Sequence, residues 1–175
     1  LLFILLMPYF FIRLITKNKE WRWRLGFGKY SQTNKKKIWI HASSVGEING
    51  ISSLINKFVE IHPECFIYLS TMTITGRERT KQMALNHPQN IFPFLIPLDV
   101  PLIMIRTLIK IKPKLIILAE TEIWPVLIYY AKKMGCKILL INARLSEKSV
   151  RNYNNLKVIF NETITKIDYI SAQAK

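Results

Sequence analysis

Beyond residue 37 the chain alternates between short apolar runs and longer stretches in which apolar residues recur every three or four positions. Short runs rich in isoleucine, leucine and phenylalanine predict strands at 38–41, 66–70, 91–95, 115–119, 137–141 and 169–171. Between the first two, Ile48, Ile51, Ile55, Phe58 and Val59 fall on one helical face until Pro63 closes the segment. Further helices are expected over 76–85, 100–110, 123–134 and 146–166, the last interrupted. The strands are apolar throughout, which predicts burial on both faces. Strand and helix in turn then mean a doubly wound α/β domain with a parallel sheet. In such a fold the site lies beyond the carboxyl ends of the strands.

The first 37 residues follow a different pattern. An apolar run, Leu1 to Ile12, is shorter than the roughly 18 residues a membrane span needs. A few preceding residues would complete it, so residues 1–16 are read as a truncated membrane anchor. From 13 to 37, nine basic residues face a single acid, Glu20, and Trp21 and Trp23 lie among them. Basic residues and tryptophans directly after an apolar run suit the cytoplasmic side of a bilayer with anionic headgroups. Residues 17–37 are therefore read as a juxtamembrane segment, with NKKK at 34–37 as a linker, and 38–175 as the folded domain.

Composition narrows the function classes. Half of the 175 residues are hydrophobic and 21% are charged, which excludes global disorder. The 26 Lys and Arg against 11 Asp and Glu give a net charge of +15 and favour anionic partners. Much of that charge is juxtamembrane and no nucleic-acid recognition motif occurs, so nucleic acid is not the expected partner. Cys65 and Cys136 lie far apart beside apolar runs, as small core residues do, and no metal-ligand cluster is present. His62 and His87 precede prolines and read as surface residues, whereas His41, at a strand end, is open to either reading. Neither G-x-G-x-x-G, a P-loop nor G-x-S-x-G occurs, which argues against dinucleotide dehydrogenases, P-loop NTPases and α/β-hydrolases.

Polar residues collect where the strands end. The loops read His41-Ala-Ser-Ser-Val-Gly-Glu47, Thr71-Met-Thr-Ile-Thr-Gly76, Pro97-Leu-Asp99, Glu120-Thr-Glu122-Ile-Trp-Pro125 and Asn142-Ala-Arg144-Leu-Ser146. Ser43, Ser44, Thr75 and Ser146 could each simply cap the next helix, and Glu47 or Glu122 could complement a helix dipole. Capping does not require Glu120, Asn142 and Arg144 as well. Gly46 and Gly76 read as tight-turn glycines whose backbone N–H groups face an anion. Glu47, a carboxylate at a helix start with no metal cluster nearby, suits a general base acting on a hydroxyl, provided burial raises its pKa toward neutrality.

In order and spacing, HASSVGE, TMTITG, P-x-D, ETEIWP, NARLS and the closing Ala172-Gln173, with RLGFG at 24–28, resemble the 3-deoxy-D-manno-octulosonic acid (Kdo) transferases over nearly the whole chain. Val126 departs from the asparagine expected after Trp-Pro. The resemblance implies the N-terminal, acceptor-binding half of a GT-B glycosyltransferase whose donor domain would lie beyond Lys175. Such an enzyme is inverting and metal-independent, needs no cofactor, and moves Kdo from CMP-Kdo to the 6′-hydroxyl of a lipid A precursor during lipopolysaccharide synthesis. The implied location is the cytoplasmic face of the inner membrane of a Gram-negative bacterium, and the isolated half is expected to be inactive. Carried over, Glu47 is the base, Glu120 supports the transition state with Glu122 as second choice, and Ser44, Gly46, Thr75, Gly76, Asn142 and Arg144 shape the acceptor cleft. The alternative is a non-catalytic basic module that binds the membrane surface.

Overall fold

The computed structural model describes residues 19–120, 123–143 and 157–172. In chain order the elements are α1 (Lys19–Arg24), β1 (Lys36–His41), α2 (Val45–Ile61), β2 (Cys65–Thr71), α3 (Ile74–Asn86), β3 (Ile91–Leu95), α4 (Pro101–Ile111), β4 (Leu115–Ala119), α5 (Pro125–Lys133), β5 (Lys137–Ala143), α6 (Lys157–Ile164) and β6 (Tyr169–Ala172). The six expected strands are present, and β1, β2, β5 and β6 each extend by one or two residues. All neighbours pair in parallel, in the order β3-β2-β1-β4-β5-β6. Of the expected helix over 146–166, residues 146–156 lie outside the described residues and Lys157–Ile164 form α6.

Alternation along the strands divides the interior into two cores. Ile38, Ile40, Ile67 and Leu69 face α2 and α3, where Ile48, Ile51, Ile55 and Met83 are buried. Trp39, Tyr68, Ile116 and Leu118 face the other way, onto Met104, Leu108 and Ile111 of α4 and Leu127, Ile128 and Ala131 of α5. Helices thus cover both faces, which is why the strands carry few polar residues. β3 is an edge strand and so accommodates Pro93, which supplies no N–H to a ladder.

From residue 19 the basic segment packs onto the folded domain. Trp23 and Tyr30 are buried in the second core and stack edge-to-face, their ring centroids 5.3 Å apart. A Cβ at Gly28 would lie 2.1 Å from the Trp23 ring, so only glycine lets the chain pass. Arg24 donates to the backbone carbonyls of Ile96 and Met72, and Lys110 Nζ donates to those of Gly26 and Gly28. Burial lowers the Arg24 pKa, with Glu20 opposing the shift. NKKK is not a linker, because its last two lysines open β1. No helix among the described residues is long and apolar enough to cross a membrane, and the run Leu1 to Ile12 lies outside them.

Cys65 and Cys136 are buried free thiols, and burial pushes Cys136 up to about 12. His62 is exposed beside Glu64, and His87, half-buried, meets Asn56.

Asp168 ties the second half together. It accepts from Lys132 Nζ at 2.9 Å, Lys137 Nζ at 3.2 Å and the Ile138 N–H at 2.8 Å. The Lys132 hydrogen bond, then the Ile138 N–H, holds the carboxyl at about 2 against an ordinary 3.8. Because the folded value lies below the unfolded one, the stabilisation is complete above 3.8 and is lost as pH falls toward 2. Asp168→Asn is expected to cost about 1 kcal/mol at neutral pH, a value kept small by solvent screening. Urea midpoints should then show a smaller acid-side decline in the variant than in the wild type. Equal declines would mean that Asp168 is not the responsible group.

Candidate functional site

β1 lies at the centre of the sheet. From it the chain runs outward through β2 and β3, then returns across the sheet to place β4 on the other side of β1. Loops leaving β1 and β4 therefore diverge, opening a crevice above their carboxyl ends, where doubly wound folds place their ligands. His41 and Leu118 are register partners at this point. Glu47 follows on the β1 side and Glu120 on the β4 side.

Glu47 lies in the first turn of α2. Ser44 is the N-cap, and its Oγ accepts from the Glu47 N–H at 3.3 Å and donates to Glu47 Oε1 at 3.0 Å. Glu47 Oε2 accepts from the Ser43 N–H at 2.8 Å. This is a reciprocal cap of the S-x-x-E kind, displaced by one residue on its return bond. The capping reading of Ser44 is therefore correct, Glu47 joins the cap through its side chain, and the same bonds fix the direction of the half-buried carboxylate.

The TMTITG loop is arranged differently from the expectation. Thr73, not Thr75, caps α3, its Oγ1 accepting from the Gly76 N–H at 3.0 Å. Thr75 is exposed and hydrogen-bonds Thr73 Oγ1 at 3.3 Å. Gly46 and Gly76 are not turn glycines, since each lies inside the first turn of a helix. A Cβ at Gly76 would come within 2.9 Å of Thr73 Oγ1 and 3.1 Å of Thr71 Cβ, so this glycine permits the capped turn to close. Its N–H is taken by the cap and does not face the cleft. At Gly46 a Cβ would meet only Ser44 Oγ, at 3.8 Å, and no steric demand explains the residue.

Asp99 reaches across to another element. Its two carboxylate oxygens accept from the Val126 and Leu127 N–H groups at 3.0 and 2.8 Å, capping α5 from outside that helix. Burial raises its pKa, and the two N–H bonds oppose the shift. The residue that replaces the expected asparagine, Val126, thus contributes its backbone.

Beneath the crevice lies a buried polar group of residues. His41, fully buried, places Nδ1 at 2.9 Å from Ser70 Oγ and 3.1 Å from the Ser70 carbonyl, and Nε2 at 3.4 Å from Ser43 Oγ. Its ring meets Trp124 edge-on at 5.3 Å. The earlier ambiguity over His41 resolves as a hydrogen-bonded core residue under the site. Ser70 and Trp124 were absent from the expected site, and no local pattern pairs them with His41.

Glu120 and Asn142 stand in left-handed backbone conformations, at φ 59° and 56°. Asparagine tolerates this region, whereas glutamate rarely occupies it, and such strain gathers where function demands it. The Glu120 N–H donates to the Ile141 carbonyl at 2.8 Å, joining the β4 and β5 ends. Its carboxylate makes no hydrogen bond among the described residues. Glu120→Gly, which relieves the strained φ, is expected to be about 0.5–1 kcal/mol more stable than Glu120→Ala in chemical denaturation. An alanine variant of equal stability would show that no strain is stored there. Glu122, Arg144, Ser146 and Gln173 lie outside the described residues. Among the described residues no group of three or more His, Cys, Asp or Glu side chains could hold a metal ion.

The family described as 3-Deoxy-D-manno-octulosonic-acid transferase (kdotransferase) matches residues 19–175. A 3-deoxy-D-manno-octulosonic acid transferase of Haemophilus influenzae is 33% identical over 169 residues, covering 93% of this chain and 39% of its own. One from Rickettsia bellii is 32% identical over 179 residues, covering 99% and 42%. A bifunctional glycosyltransferase/methyltransferase of Fusobacterium nucleatum is 35% identical over 138 residues, covering 79% and 21%. The chain spans about two fifths of the length of the two Kdo transferases.

Proposed function

The chain belongs to the 3-deoxy-D-manno-octulosonic acid transferase family, and from that premise we propose that it is the acceptor-binding half of a GT-B enzyme transferring Kdo from CMP-Kdo to the 6′-hydroxyl of a lipid A precursor. The observation that carries this reading is the placement of Glu47 and Glu120 on opposite sides of the crevice where the strand order reverses. In the proposed reaction Glu47 takes the proton from the acceptor hydroxyl as its oxygen attacks the anomeric carbon. CMP leaves from the opposite face, so the configuration inverts and no metal or cofactor takes part. Glu120, held in its strained conformation, stabilises the transition state, with Glu122 as the second candidate. Ser44 and Thr73 fix the loops, and Thr75, Gly46, Gly76, Asn142 and Arg144 shape the acceptor side. The donor nucleotide is held by a second domain.

The proposed location is the cytoplasmic face of the inner membrane in a Gram-negative bacterium. It is supported by an exposed surface in which Arg106 lies 4.6 Å over the Phe27 ring and Leu102, one helical turn away, is 81% exposed. Apolar and basic groups together suit an anionic bilayer, with nucleic acid no part of the function. The test incubates the full-length protein in membranes with CMP-Kdo and a lipid A precursor and reads the product by mass spectrometry. A gain of one or more Kdo residues is expected. No gain from folded, membrane-bound protein would overturn the proposal and leave the non-catalytic surface module.

A further inference from the structure

A small cleft of about 220 Å³ opens beside α1, lined by Arg22, Trp23, Phe27, Gly28, Lys29 and Arg77. We propose that this cleft binds a phosphomonoester dianion. Three cationic side chains converge on it, and none has a carboxylate partner among the described residues. The acids nearest in sequence are engaged elsewhere, Glu78 with Lys81 at 2.8 Å and Glu20 in the field of Arg24.

Arg77 carries the argument furthest. Its guanidinium carbon lies 5.5 Å over the Trp23 ring. Its Nε is enclosed and has no acceptor among the described residues. Arg77 lines the cleft, and an arginine fork matches a phosphate through two parallel bonds. The wall behind it is built for close approach, since Gly28 lies flat on Trp23 where any side chain would collide. Three cations exceed the single charge of a carboxylate or a phosphodiester. A phosphomonoester, with a charge near −2 and three acceptor oxygens, matches them better. Phe27, 42% exposed at the rim, leaves room for an apolar body attached to the phosphate. The site needs neither nucleotide nor Glu47, so it stands whether or not the transfer reaction does.

The same chemistry can come from inorganic phosphate or from a lipid headgroup, and two arms on the full-length protein separate them. Calorimetry with inorganic phosphate reads the free anion. Flotation compares phosphatidylethanolamine vesicles containing phosphatidic acid, a monoester, with vesicles containing phosphatidylglycerol, a diester. Saturable phosphate binding with a preference for phosphatidic acid is expected, and saturable binding without that preference assigns the site to free phosphate. Arg77→Gln is expected to weaken phosphate binding about tenfold or more, as loss of a charge-assisted hydrogen bond implies. Because that change also loosens the contact with Trp23, Arg22→Ala with Lys29→Ala is the companion variant, and both its side chains are exposed. No saturable phosphate binding by a folded wild type would overturn the proposal. So would variants that weaken binding to both vesicles equally, which would reduce the cleft to diffuse surface charge.

Discussion

Replacing Glu47 with glutamine in the full-length protein is expected to lower kcat for transfer by about 10²- to 10⁴-fold, the range for loss of a general base. The melting temperature should move by no more than about 2 °C. The two expectations separate because Glu47 has two jobs. As a cap it accepts from the Ser43 N–H and the Ser44 hydroxyl. Glutamine keeps a side-chain oxygen at the same reach and is itself a common residue at this capping position. What glutamine cannot do is take a proton from an alcohol. Activity and stability falling together would mean that Glu47 serves only as a cap, and unchanged activity would remove it from the mechanism. Glu47→Ala is the calibrating variant, since it loses both roles and should cost about 1 kcal/mol in addition.

The same residue shows what the sequence could and could not reveal. Ser44 was legible as a cap because a serine stands just before an apolar periodic stretch, whereas the part Glu47 plays in that cap was not read from the sequence. The strands were legible because their apolar runs are short; β1, β2 and β4 are largely buried on both faces as expected, whereas β6, at the sheet edge, is exposed along its whole length. Even β3, with its proline, was located to the residue. Helix α1 was not legible, because six residues reading KEWRWR show charge more plainly than the burial of Trp23. Its partners are distant in sequence, with Phe92 and Phe94 of β3 against the Trp23 ring. Asp99 was marked as a strand-end acid, but its capping of α5 spans 27 and 28 residues, beyond the reach of a local pattern. Gly76 was singled out for the wrong reason. Its sequence context resembles a turn, yet the constraint is the approach of Thr71 and Thr73. The backbone strain at Glu120 is invisible in sequence, since nothing but the fold places a glutamate at positive φ.

His41→Ala is expected to destabilise the protein by about 2–4 kcal/mol, the scale for a buried cavity with hydrogen bonds lost. The reason lies in how the donors beneath the crevice are arranged. Trp39 Nε1–H donates to Ser70 Oγ at 2.7 Å, and Ser70 Oγ–H donates to the Ile40 carbonyl at 3.4 Å. That leaves the Ser70 carbonyl, an acceptor only, facing His41 Nδ1 at 3.1 Å, so Nδ1 is assigned the proton. Nε2 is then the acceptor for the Ser43 hydroxyl at 3.4 Å. One arrangement of donors and acceptors satisfies all of these groups, and alanine removes both ends of the bridge. Asparagine can place an amide N–H near the position of Nδ1, so His41→Asn should recover part of the loss by restoring the Ser70 bond. The functional consequence follows from the same contacts. Ser43 supplies the N–H that holds Glu47, and Trp124, against the His41 ring, precedes the first turn of α5 on the far side of the crevice. His41→Ala should therefore lower kcat more than it raises KM for the acceptor, and asparagine should restore kcat in step with stability. Denaturant midpoints with unchanged m-values measure the first effect, and transfer kinetics on the folded fraction measure the second. An alanine variant within about 0.5 kcal/mol of wild type, or an asparagine variant no better than alanine, would mean that this network does not hold the site.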